Sequence, residues 1–189
     1  RPAGHPRRLD DGATVWDGII IDITEQRLAE QELRYLANHD SLTGLLNVRS
    51  FEEEVDAVIV ERGAGAENLL MALVDIQRFH TINQLFGFEF GDRVIKAVAE
   101  RLQERTREHE LIAHLNGDEF LLLFRETPGK EDIHNRAQQL INVFDERFEF
   151  DGGQSLVIRA KVGMAIFPND GETAQTLHRR AELALNRVR

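Results

Sequence analysis

Apolar residues along the chain keep two periods. Leu69–Ile76 (LLMALVDI) is unbroken apolar sequence of strand length, as expected of a central strand covered on both faces. Helical spacing marks Val48–Glu61, about Arg78–Phe86, and Asp92–Arg105, the last with Val94, Ile95, Val98 and Leu102 on one side. Leu111–Phe124 (LIAHLNGDEFLLLF) holds two short apolar runs around Asn116-Gly117, a strong hairpin signal. A type I′ turn with left-handed backbone at both residues is expected there. A helix follows at about Glu131–Glu146, then a Gly152-Gly153 turn. A strand is predicted at about Leu156–Phe167, with Ile158, Ala160, Val162, Met164 and Ile166 alternating. The last helix turns Leu177, Ala181, Ala184, Leu185 and Val188 inward.

Upstream, residues 1–24 contain Gly, Pro and Arg and then a predicted strand, Thr14–Ile21. Thr24 is placed to cap a helix over Glu25–Asn38, with Leu28, Tyr35 and Leu36 on one side. Gly63 and Gly65 end the helix begun at Val48.

From Val48 onward the order is helix, strand, two helices, hairpin, helix, strand, helix. Its centre fits the β-α-β-β-α-β split unit of ferredoxin-like folds. Right-handed crossovers would make the first two strands parallel, with the third running back between them. Asp75, at the end of the first strand, then meets Asp118 and Glu119 at the same sheet edge. Adjacent carboxylates repel, so three of them there ask for a cation or a reacting proton. Mg²⁺ suits such an edge, taking one or two carboxylates and leaving positions for substrate phosphates. Phosphoryl or nucleotidyl transfer is the chemistry this suggests.

Composition narrows the partners. The 189 residues carry a net charge of −10, which disfavours nucleic acid and anionic lipid. There is no cysteine, which excludes disulfides and thiolate metal sites and suits a reducing, cytoplasmic compartment. No run has the length of a membrane span and no signal peptide is visible, so no direct membrane contact is expected. The chain begins at Arg1 and ends within a helical pattern, and it is read as a piece of a longer protein that could itself be membrane-anchored. Basic residues gather at Arg105 and Arg107 and again at Arg179, Arg180, Arg187 and Arg189. They form either solvated helix faces or an anion site for a phosphorylated ligand. His39, His109, His134 and His178 lack metal-ligand spacing and read as surface or capping residues.

Several motifs resemble one family. Asn116-Gly117-Asp118-Glu119-Phe120 is similar to the GGDEF signature of diguanylate cyclases, which join two GTP molecules into cyclic di-GMP on a palm-like fold. His39-Asp40-Ser41-Leu42-Thr43-Gly44-Leu45-Leu46-Asn47 resembles the family's HDxLTGLxN segment, and Asp75-Ile76 the start of its DID segment. Asn83 with Gly91-Asp92, and Val162-Gly163-Met164-Ala165, fall at further family positions. The resemblance covers 39–189, with the C-terminal end of the domain expected to be truncated. Residues 12–24 resemble the end of a PAS sensor domain. Residues 1–24 are read as its remnant and 25–38 as a linker helix.

The resemblance implies an α/β palm of the nucleotidyl cyclases, an α+β sandwich whose mostly antiparallel central sheet is flanked by helices. It assigns Mg²⁺ (or Mn²⁺) to Asp75, the Ile76 carbonyl and Asp118, and activation of the attacking 3′-hydroxyl to Glu119. Asp118 and Glu119 are thus the catalytic pair. It places the nucleotide at Phe79, Asn83, Asp92, Asn116, Gly117 and Arg189, with Asn83 and Asp92 reading guanine. Arg107 and Glu110 match an RxxD product-inhibition site with Glu replacing Asp. Departures are Asn116, Gln77, His80, Gln84, Phe88 and His114, the last where the family has Arg. They reduce positive charge around a triphosphate and leave the metal carboxylates and guanine pair in place. Two functions are expected. One is a homodimeric diguanylate cyclase acting on GTP. The other is a GTP-binding module of little or no activity that governs a neighbouring EAL-type cyclic di-GMP phosphodiesterase.

Overall fold

The computed structural model describes residues 3–19, 22–62, 68–107, 110–125 and 130–187. The expectations for residues 20–21, Gly63, Gly65, His109, Val188 and Arg189 lie outside these. Two compact units divide the chain, Arg1–Ala37 and Asn38–Arg189.

In the first unit, β1 (Ala3–Arg8) pairs antiparallel with β2 (Thr14–Ile19). The turn uses Gly12 at φ +87°, and Asp11 Oδ1 accepts the Ala13 N–H at 2.9 Å. Strand β1 was not expected, although Asp11-Gly12 is a turn signal. Helix α1 (Thr24–Asn38) follows. Its opening differs from expectation, because Asp22 Oδ1 accepts the Thr24 N–H at 2.9 Å and Thr24 is already helical. Leu28, Leu33, Tyr35 and Leu36 are all exposed.

The second unit is built on a sheet of order β4-β5-β3-β8. Its strands are β3 (Leu69–Ile76), β4 (Leu111–His114), β5 (Glu119–Phe124) and β8 (Ala160–Phe167). β5 runs antiparallel to both β3 and β4, so those two are parallel with β5 running back between them, as expected. Helices α3 (Phe79–Phe86), α4 (Phe88–Arg105) and α5 (Lys130–Asn142) cover one face. There Val74, Ile76, Phe120 and Leu122 meet Phe90, Val94, Val98 and Leu140. Helices α2 (Val48–Arg62) and α6 (Ala174–Leu185) cover the other, where Met71, Leu73, Leu121 and Ala165 meet Phe51, Val55, Leu177 and Ala181. Burial on both faces explains why β3 is apolar at nearly every position.

Three boundaries shift for tertiary reasons. α4 begins at Phe88, a turn earlier than expected, because the break falls at Gly87 (φ +85°), whose N–H caps the Asn83 carbonyl. The expected long last strand is interrupted over 157–159. A short hairpin of β6 (Phe148–Phe150) and β7 (Gln154–Leu156) precedes the gap, and the Arg159 carbonyl accepts the Gln77 N–H. Along β8 the more buried side is Gly163, Ala165 and Phe167 rather than Val162, Met164 and Ile166. The reason is the close approach of α6, since a Cβ on Gly163 would run into the Ala181 carbonyl and Leu185.

α5 stops at Asn142, short of Glu146, because Arg101 of α4 draws off the following carbonyls. Its guanidinium donates to the carbonyls of Val143, Glu146 and Arg147 at 3.1, 2.9 and 3.0 Å and lies 3.5 Å over the Phe148 ring. Arg101→Ala is expected to cost about 2–3 kcal/mol, measured as a lower denaturant midpoint.

Candidate active site

The site lies at one end of the sheet. Asp75 is the penultimate residue of β3 and pairs in register with Glu119 of β5 on one side and Lys161 of β8 on the other. The hairpin turn is held to it by a tertiary bond from the Ile76 N–H to the Asp118 carbonyl, 3.0 Å. This contact changes the turn from the expected type I′. Leu115 N–H bonds the Glu119 carbonyl at 3.0 Å, so the loop is longer than two residues. Gly117 is left-handed at φ +64°, and Asn116 is not.

Asp75, Asp118 and Glu119 therefore converge, as the strand order requires. Burial, then the charge of Asp118, raises the Asp75 carboxyl above its ordinary value, and Lys161 partly offsets this. Glu119 is also raised, by burial and by Asp75, Asp118 and Glu182, with His178 opposing. Among the described residues no three His, Asp or Glu side chains could enclose a metal unaided. Asp75 and Asp118, with the Ile76 carbonyl expected beside them, are oxygen donors of the kind that would suit Mg²⁺ completed by water and substrate phosphates. Crowded carboxylates whose ionised forms are disfavoured fit such a cation.

Both carboxyls bind protons more tightly folded than unfolded. Their stabilising contribution is thus present below the usual carboxylate range, about pH 4, and is lost as pH rises through the raised folded values. Metal-free Asp75→Asn is expected to melt at a higher temperature than the parent at pH ~7, with the gap closing towards pH ~4. Thermal melts in chelator at the two pH values check this.

Asn83 of α3 packs against Gly91 of α4, next to Phe79. A Cβ at Gly91 would strike the Asn83 amide and approach the Phe79 ring. Asn83 Oδ1 is buried without a hydrogen-bond partner, an unmet acceptor beside exposed Asp92. A buried acceptor left unsatisfied costs about 1–3 kcal/mol, which an N–H donor on a ligand would relieve. Asn116 and Gly117 are exposed at the turn, and Arg189 lies outside the described residues. Arg107 and Glu110 are brought together elsewhere. Glu110 is buried, accepts the Arg107 N–H at 2.9 Å, and is paired with Arg136 at 2.9 Å. Arg105, Arg107 and Arg136 line a cavity of about 370 Å³ there.

Three residues near the site were missed or misread. His178, read as a surface residue, bonds Glu52 at 3.1 Å and sits near enough to Glu119 to favour its charge. Glu182, one helical turn on, opposes it. The i, i+4 spacing of the two was visible, but nothing in sequence placed α6 over Glu119. His114 is almost fully buried at 4% exposure, and its ring is bonded on both nitrogens.

A four-stranded antiparallel sheet flanked by helices on both faces, with Asp75, Asp118 and Glu119 gathered at one end, is an α+β palm. The family described as "Diguanylate cyclase, GGDEF domain" matches residues 37–189, and the chain belongs to the GGDEF family of cyclic di-GMP signalling. It is similar to the cyclic di-GMP phosphodiesterase NbdA of Pseudomonas aeruginosa, with 35% identity over 84% of this chain and 20% of that protein. It is also similar to the diguanylate cyclase DgcM of Escherichia coli K12, with 33% identity over 90% of this chain and 40% of that protein. The chain thus spans less than half the length of either relative. A crystal structure of a sensory box/GGDEF family protein from Caulobacter crescentus CB15 superposes with a TM-score of 0.74 at 32% identity, covering 79% of this chain and 96% of that one. Among the described residues no helix is long and apolar enough to cross a membrane.

Proposed function

We propose that the chain is a Mg²⁺-dependent diguanylate cyclase domain that works as a homodimer, each copy presenting one GTP. The observation that carries this is the convergence of Asp75, Asp118 and Glu119 at the sheet edge, two of them raised by burial and mutual repulsion. Asp75, the Ile76 carbonyl and Asp118 would hold the cation, which when bound neutralises charge on the phosphates. Asn83 and Asp92 read the guanine edge, with Asp92 accepting from its N–H groups. Phe79, whose ring lies beside Gly91 as Asn83 does, lines the same nucleotide site. Asn116 and Gly117 border the phosphates, and Arg189 is proposed to hold them. Glu119, whose carboxyl is raised by burial and by Asp75 and Asp118 and so holds a proton more readily than a free carboxylate, takes the proton of the attacking 3′-hydroxyl. The product would occupy the arginine-lined cavity beside Arg107, where Glu110 is already paired with Arg136. We place the domain in the cytoplasm, after the last strand of a PAS-type domain (1–24) and a linker helix (25–38).

Incubation of the chain with GTP and Mg²⁺ tests the reading. Cyclic di-GMP is the expected product, and failure to bind GTP overturns it. A second reading is favoured by the similarity to NbdA, a cyclic di-GMP phosphodiesterase of which this chain matches 20%. In it the domain binds GTP without conversion and governs an adjoining EAL-type phosphodiesterase. Tight GTP binding without product selects that reading.

A further inference from the structure

A lysine stands in the row of side chains that crosses the sheet at its acidic end. In register, Asp75 of β3 lies opposite Glu119 of β5 on one side and Lys161 of β8 on the other. Directly opposed residues project to the same face of a sheet. Asp75 alternates with Val74 and Ile76, which belong to the core under α3, α4 and α5, so it shares the α2 and α6 face with Leu73. Lys161 is on that face too, two residues before Gly163, against which α6 packs. The row is therefore Glu119, Asp75, Lys161, with the outer two on strands about 10 Å apart. The lysine's charge lowers the Asp75 carboxyl, against burial and Asp118, which raise it. The charges acting on Glu119 are instead Asp75, Asp118, Glu182 and His178.

β8 is an edge strand of the sheet, and a lysine on an edge strand often serves only to keep other strands from pairing there. Such a guard faces solvent and needs no partner on the neighbouring strand. Lys161 differs on both counts, being half-buried and set opposite a half-buried acid. Opposite charges directly across a ladder attract, and partial shielding from water strengthens the attraction. The same proximity works against a cation. An ammonium beside a carboxylate repels any divalent ion that the carboxylate would ligate.

We propose that Lys161 is a positioning residue of the acidic edge, a resident positive charge that pairs with Asp75 across the β3–β8 ladder and weakens its hold on a bare divalent cation. A cation accompanied by nucleotide phosphates is not penalised in the same way, because the phosphates bring anionic charge for the ammonium. Lys161 thereby favours joint binding of metal and nucleotide over binding of metal alone. The part that concerns cation and nucleotide rests on the cyclase reading, whereas the pairing of Lys161 with Asp75 does not.

The test uses the whole chain and begins without metal. Lys161→Met and Lys161→Gln are melted in chelator near neutral pH, each with Asp75 present and again with Asp75→Asn. Both should lower the melting temperature when Asp75 is present and change it little in the Asp75→Asn background. Lys161→Arg, which keeps the charge, should melt like the parent. Equal losses in the two backgrounds would mark an edge-guarding or merely structural lysine and overturn the proposal. Calorimetric titration then compares Mn²⁺ alone with Mn²⁺-GTP. Affinity for Mn²⁺ alone should rise about tenfold in Lys161→Met and Lys161→Gln, the effect of removing one nearby like charge. It should stay at the parent's value in Lys161→Arg, and affinity for Mn²⁺-GTP should not rise in any variant. A structural loss would weaken both, so unchanged or weaker binding of Mn²⁺ alone overturns the proposal. If neither the parent nor any variant takes up Mn²⁺, the cyclase reading fails, and the melts in chelator still decide the pairing.

Discussion

Asp118→Ala is expected to abolish Mg²⁺-dependent GTP binding and to lower any cyclic di-GMP formation by at least about 100-fold. The carboxylate is one of only two in the candidate cation set, and the Ile76 carbonyl cannot replace its charge. The fold should survive, because Asp118 is tied to β3 through its backbone carbonyl and not its side chain. Removing the charge should also let the Asp75 carboxyl fall back towards its ordinary value, since Asp118 is the main charge raising it. Calorimetric titration with Mn²⁺-GTP and a product assay read the first effect, and carboxyl ¹³C shifts against pH read the second. Undiminished metal-dependent binding would remove Asp118 from the site.

Gly163→Val should be the most destabilising single change on the α6 side, at about 3 kcal/mol or more. The neighbours of an added Cβ are the Ala181 carbonyl and Leu185 N, which are helix backbone and cannot swing aside as a flexible side chain would. α6 must therefore lift off β8. Lifting it withdraws His178 and Glu182 from Glu119, so the surviving folded protein should titrate differently at Glu119 as well. Denaturant unfolding measures the first effect. An unchanged midpoint would mean that the close approach of α6 to β8 is not obligatory.

Some of this was legible in the pattern of residues because it depends on local periodicity. The run Leu69–Ile76 is a strand because both its faces are apolar, and its bounds come out as expected. The order of the first three strands follows from the split β-α-β-β-α-β pattern with right-handed crossovers, and it brings Asp75 to Asp118 and Glu119 with no knowledge of side-chain packing. The motifs from His39 to Ala165 likewise pointed to the GGDEF family, which the match over 37–189 shows.

What sequence left open involved partners distant along the chain. The turn at Asn116-Gly117 departs from type I′ because Ile76, forty-two residues before Asp118, claims its carbonyl. The early end of α5 depends on Arg101, and the buried side of β8 depends on how near α6 can come to Gly163. His114 looked like a plain loss of an arginine until Asp40, seventy-four residues away, was found on its ring. Periodicity is a property of a short stretch of chain, so the sequence by itself determined β3, the β4–β5 hairpin, the larger helices and the acidic edge, but not β1 or the β6–β7 hairpin. A hydrogen bond or a close contact requires two stretches to meet, so the tertiary structure alone decided the turn, the helix ends and the charge environment of the site.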